Sequence, residues 1–262
     1  MFPIRDHNPS EKVPFITYAL IAINVAVHIW VVAAVTTDRA LYDLYYCCAM
    51  IPARITAGEG FLSLITSVFL HGGWMHLLGN MLFLWIFGDN MEEEMGHGGF
   101  LAFYLVSGAG AALAQWAVAP WSPIPLVGAS GAIAAVMGGY LLMFPKAKID
   151  ILFIFIIFFR IFPIPAWIML GLWFGFQFVA GFGMNPNEGG VAYWAHSGGF
   201  LIGFVLTLPL GCGGAGRASG TGRMAIRRIR RQATSSRGPT SRPCPGASRR
   251  VPCPLRSSTQ SP

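Results

Sequence analysis

The sequence predicts an all-α, polytopic membrane protein, a bundle of six transmembrane helices. Three observations carry that prediction. Of 262 residues, 54% are hydrophobic and 11% charged, whereas a soluble domain carries about 25% charged residues. Six separate apolar segments are each long enough to cross about 30 Å of hydrocarbon as a helix. Lysine and arginine gather on one side of those segments, as a fixed orientation in a membrane requires.

The first span is 13–35. It follows Arg5 and Lys12, is too long for the apolar region of a signal peptide and lacks a small-residue cleavage site, so it reads as retained. The second is 73–91, with a semi-apolar approach from Phe61, and the third is 99–118. The fourth is 127–144, the fifth 164–182 and the sixth 191–210. The apolar run 149–159 is too short to span. With Lys146, Lys148 and Arg160 around it, an interfacial or buried connecting segment is expected there. The expected organisation is a cytoplasmic N-terminus at 1–12, a six-helix domain at 13–211 and a tail at 212–262.

Charge divides the same way. Residues 1–211 hold seven Lys/Arg and eleven Asp/Glu, whereas 212–262 hold eleven Arg and no acid, so the net +7 belongs to the tail. With the N-terminus inside, the inner segments carry sixteen basic residues and the outer ones two, Arg39 and Arg54. Both termini are therefore expected to be cytoplasmic, in a multi-pass protein of the cell membrane. The tail, rich in Arg, Ser and Pro, has little to bury and is expected to be disordered. Its Arg227, Arg228, Arg230 and Arg231 suit anionic membrane lipid, with a solvated tail of no specific role as the leading alternative, and no nucleic-acid partner is expected. The five cysteines (Cys47, Cys48, Cys212, Cys244 and Cys253) form no CxxC or Cys/His cluster, so neither a disulfide framework nor a metal site is expected.

The chemistry converges through connectivity. The second, fourth and sixth spans run in one direction, so residues near their starts meet at one face of the bundle. Those residues are His76 and Asn80, then Ser130, then His196. Polar groups at membrane depth are costly and point to function. Ser130 sits in Gly128-Ala-Ser-Gly131, where glycines permit a tight entry turn and the helix start aims N–H donors at a developing oxyanion. Ala195, Gly199 and Gly203 form one small-residue stripe and Ser130, Ala134 and Gly138 another. Paired, they would bring the His196 imidazole within reach of the Ser130 hydroxyl. His76 and Asn80, four apart, share a helix face and offer donors, with the Ser130 N–H as a third. His71, just outside that helix, reads as an interfacial residue or as lining the entrance. Asp89, Glu92, Glu93 and Glu94 lie at the wrong end of the second span and Glu188 lies in a loop, so the site is a Ser–His dyad.

These motifs, His76-Leu-Leu-Gly-Asn80, Gly128-Ala-Ser130-Gly131 and Ala195-His196 followed by Gly199 and Gly203, resemble the rhomboid intramembrane serine proteases of bacterial type. The resemblance covers about residues 10–210. It implies a six-helix rhomboid bundle without metal or cofactor, in which Ser130 is the nucleophile, His196 the general base, and His76 and Asn80 the oxyanion hole. It implies cleavage of transmembrane protein substrates near the outer membrane boundary. Glu92 matches a family glutamate with a structural hydrogen-bonding role. Two family features are missing. Ala134 stands where some relatives carry an aromatic residue against the histidine, so something else must hold the His196 ring. The outer-loop Trp–Arg pair is not evident between 36 and 61. The alternative function is a catalytically silent rhomboid-like binder of transmembrane clients, although such relatives usually lack the serine or the histidine. A channel would call for acids or broken helices at the midplane, and a zinc protease for an HExxH motif.

Overall fold

The computed structural model describes residues 2–155, 158–185 and 187–213. Its eight helices are α1 (Phe15–Ala34), α2 (Asp38–Cys48), α3 (Pro52–Thr56), α4 (Ser63–Thr66), α5 (Trp74–Val118), α6 (Ser130–Met143), α7 (Ala166–Gly183) and α8 (Tyr193–Gly213), with a 3₁₀ turn at Ser67–Phe69 after α4. By length and composition α1, α5, α7 and α8 are each able to cross a membrane, and α6 is a shorter apolar helix. The 45-residue α5 is two limbs joined at Gly96, whose φ of 72° and ψ of 161° break the helix. Six helical pieces thus fall on the six predicted segments.

Packing is closest between α6 and α8. A Cβ added to Gly199 would lie 2.2 Å from the Gly131 carbonyl oxygen, and one added to Gly203 would lie 2.0 Å from that of Ala135. In the other direction, a Cβ on Gly138 would lie 2.1 Å from the Phe200 oxygen. Only glycine admits such backbone contact, and in lipid this close packing replaces the hydrophobic drive that holds soluble helices together. The α8 stripe is the expected one. On α6 the contact face is Gly131, Ala135 and Gly138 rather than Ser130, Ala134 and Gly138, turned by one residue. That turn leaves Ser130 half-buried beside the contact, not under it.

Beside the helices lies a three-stranded antiparallel sheet, β1 (Phe2–Asp6), β2 (Lys148–Phe155) and β3 (Phe158–Pro165), in the order β1-β2-β3. The run 149–159 is therefore mostly paired strand, with Ile149 opposite Ile164 and Ile151 opposite Phe162. The N-terminal segment joins this sheet, with Arg5 paired to Asp150 and Asp6 to Ile149. This sheet, the start of α1 and the Gly96 joint mark one face of the bundle, the sheet face. Glu92, 2% exposed, ties them together: Oε1 accepts from the Ile16 N–H at 2.9 Å, and Oε2 from the Thr17 N–H at 2.8 Å and the Thr17 hydroxyl at 2.8 Å. It acts as a remote cap for α1, whose own first residues supply no capping side chain. The hydrogen-bonding expected of Glu92 is what the geometry provides. From 214 onward, the expected tail lies outside the described residues.

Candidate active site

The opposite face is built by helix starts. Leu126 and Met50 exchange backbone hydrogen bonds, 2.7 and 3.1 Å, and the Gly128 N–H donates to the Ser67 carbonyl at 2.9 Å. These bonds strap the segment before α6 to the loop between α1 and α5. Gly128 has φ of 126°, and a Cβ there would lie 2.8 Å from His76 Nε2 and 3.6 Å from Ser130 Oγ. Glycine is required at that position on both counts, strain and space. It lets the His76 ring come up against the turn that carries Ser130.

Ser130 is the first residue of α6, so the N–H groups of that first turn have no partner inside the helix. With 14 residues, α6 rises about 21 Å, less than the hydrocarbon thickness of about 30 Å. Its other end is fixed to the sheet face, where the Tyr140 hydroxyl donates to Asp6 at 2.7 Å. His196 stands in the first turn of α8, whose Ala195 N–H donates to Gln115 Oε1 of α5 at 3.2 Å.

One cavity of about 600 Å³ is lined by Ser130, His196, His76 and Asn80, together with Trp173 and Gln177 of α7. All four residues singled out in the sequence meet there. Asn80 is 8% exposed, and its Nδ2 donor has no hydrogen-bond partner among the described residues. His71 lines neither an entrance nor an interface: it is 4% exposed, its ring 5.2 Å from that of His76 and 6.4 Å from that of His28. Burial by α1 and the strapped loop accounts for the difference. Glu188 lines a different, smaller pocket, where its carboxylate accepts from Asn185 at 3.2 Å.

Two residues of α7 escaped the sequence reading. His196 Nδ1 lies at hydrogen-bonding distance, 2.8 Å, from Gln177 Oε1, and the Trp173 ring lies 5.9 Å from the imidazole at 33°. An amide oxygen can only accept. Gln177 Oε1 therefore pairs with the tautomer that carries its proton on Nδ1 and keeps the Nε2 lone pair. In place of the absent aromatic at Ala134, the His196 ring is gripped from α7. The available signal was Gln177 itself, a strongly polar residue within an apolar helix.

Fold and site together define a multi-pass helical membrane protein with a serine hydroxyl and an imidazole at a cavity inside the bundle. A family model described as the Rhomboid domain matches residues 58–212. The chain is 31% identical over 201 residues to Rhomboid protein 1, mitochondrial, of Saccharomyces cerevisiae, covering 72% of this chain and 51% of that relative. It is 40% identical over 87 residues to Rhomboid protease GluP of Bacillus subtilis, 33% of this chain and 16% of the relative. It is 46% identical over 69 residues to Rhomboid-like protein 11, chloroplastic, of Arabidopsis thaliana, 26% of this chain and 24% of the relative. The chain spans about half or less of the length of these relatives. It belongs to the rhomboid family, and membership supports intramembrane proteolysis or a rhomboid-like function.

Proposed function

We propose that the chain is an intramembrane serine endopeptidase that cleaves transmembrane protein substrates near the membrane boundary on the site face. Ser130 Oγ attacks the scissile carbonyl while His196 Nε2 takes its proton. The carbonyl oxygen becomes an oxyanion held by Asn80 Nδ2, His76 and the Ser130 N–H. His196 returns the proton to the departing amine, leaving an acyl ester on Ser130. Water then attacks the ester, giving its proton to His196, and the carboxyl product leaves as Ser130 regains a proton. No step calls for a metal or cofactor. The observation that carries this reading is the single cavity shared by Ser130, His196 and the unpartnered Asn80 donor.

The basic residues support an orientation with both termini cytoplasmic in a bacterial-type cell membrane, with membrane lipid around the bundle and against the arginines of the tail. Relatives named for mitochondria and chloroplasts make the choice of membrane a matter for fractionation.

The test is cleavage of a single-span reporter by the purified protein in liposomes, wild type against Ser130→Ala. Cleavage that is lost in the variant supports the protease. An inert wild type whose Ser130 also resists a fluorophosphonate, in folded protein, would favour the client-binding alternative.

A further inference from the structure

We propose that Gln177 is a positioning residue for His196, doing without charge what a carboxylate does in a Ser-His-Asp triad. The inference rests on the Ser130–His196 reading above. An imidazole can carry its proton on either nitrogen and can turn about its Cβ–Cγ bond, and only one of these states aims a lone pair at the serine. Gln177 selects it. Its Oε1 lies 2.8 Å from Nδ1, and an amide oxygen there favours the tautomer protonated on Nδ1, which makes Nε2 the basic nitrogen.

The placement of Gln177 supports this role. It is 7% exposed, on an otherwise apolar helix that turns Leu172, Phe176 and Val179 outward. Its buried neighbours on α7 are Ala166, Leu170 and Gly181, which leaves Gln177 as the polar side chain on that inward stripe. A primary amide in such a setting is costly unless hydrogen-bonded, and its partner is His196. Trp173, one turn earlier on the same face, has its ring centre 5.9 Å from that of His196, so α7 brings two side chains to the imidazole. His76 of α5 is the titratable group lining the cavity with His196; α6 brings Ser130 and α7 brings Gln177 and Trp173. No carboxylate hydrogen-bonds His196 among the described residues. A buried carboxylate would be expensive here and would stabilise the imidazolium. The amide fixes the tautomer and leaves the base neutral.

The experiment compares full-length wild type, Gln177→Leu and Gln177→Glu in liposomes, with matched thermal unfolding. Gln177→Leu should lower kcat about 100-fold, a typical loss for a misdirected general base, with KM within about twofold. Gln177→Glu keeps an acceptor, so it should recover most of the rate at high pH. Its carboxylate stabilises the imidazolium, so the acid limb of its kcat/KM profile should move to higher pH. A packing role predicts no movement of that limb; equal losses in both variants with the limb unmoved would overturn the proposal, as would a Gln177→Leu enzyme of wild-type kcat. The tautomer is read independently of turnover by nitrogen-15 NMR of histidine-labelled protein, with His196→Ala identifying the signal. Nδ1 should be protonated in wild type and mixed in Gln177→Leu, and an unchanged tautomer would sink the idea. If Ser130 proves unreactive while the tautomer still responds to Gln177, the protease reading fails and the positioning stands.

Discussion

On the sheet face, Asp6 accepts from Tyr140 at 2.7 Å and from Asn90 at 2.9 Å, Asn8 donates to Asn90 at 2.6 Å, and Asp150 accepts from both Arg5 and His7. On the site face, Asn80 Nδ2 and the Ser197 hydroxyl are buried without a partner among the described residues. The contrast separates two uses of polarity inside an apolar bundle. A satisfied network holds a strand and a helix start in place, and its removal should cost stability. An unsatisfied donor at a cavity has its desolvation cost already met and, under the proposed mechanism, stands preorganised for a developing oxyanion. Substitutions on the two faces should therefore fail in different ways.

The largest effect belongs to His196→Ala. Cleavage of the reporter should fall by at least about 10³-fold, while the unfolding temperature in micelles drops by less than for Glu92→Ala, since the hydrogen bond to Gln177 is the one lost. A comparable drop in stability would erase the distinction between the faces. Asn80→Ala comes next, with about 2–4 kcal/mol of transition-state stabilisation lost from kcat/KM and no loss of fold. A rate unchanged within twofold would assign Asn80 to packing. Glu92→Ala should behave in the opposite manner. It strands the Ile16 and Thr17 N–H groups and should cost roughly 2 kcal/mol, seen as several degrees of Tm, with kcat of the folded fraction unchanged.

The residues that line the cavity were legible in the sequence because they stand at the starts of helices that alternate in direction. Apolar length alone gives that alternation, and short motifs mark the starts. Gln177 was not legible as a partner of His196, because nothing in a linear pattern says which neighbouring helix faces the imidazole. The helical bundle followed from apolar length, but the α6 contact face was read one residue off. Gly131, Ala134, Ala135, Gly138 and Gly139 are all small, so composition admits several stripes. The sheet was hidden for a different reason. The strand 148–155 alternates only over Lys148, Ile149, Asp150 and Ile151 and is apolar on every residue from there to 155, too short a two-residue pattern to separate a strand from a buried connecting segment. Its partner, 2–6, is more than 140 positions away and contains Pro3, Arg5 and Asp6. Register of that kind is set by pairing and not by local pattern.

The smallest predicted effects lie within the sheet face, where two carboxylates should respond to pH with opposite signs. The His7 and Arg5 hydrogen bonds hold the Asp150 carboxyl below its ordinary range. Its contribution to stability is complete above the ordinary carboxylate pKa of about 3.9 and is lost as pH falls through the lower folded value. Asp6 is pushed up instead, because burial outweighs the hydrogen bonds from Tyr140 and Asn90. Ionising it costs stability as pH climbs from its ordinary value through the raised folded one. Thermal unfolding between pH 3 and 7 separates the two. The Tm difference between Asp6→Asn and wild type should rise with pH, and that between Asp150→Asn and wild type should fall. Curves that move in the same direction would mean that the strand β1 is held by its backbone ladder, with the side-chain network adding little.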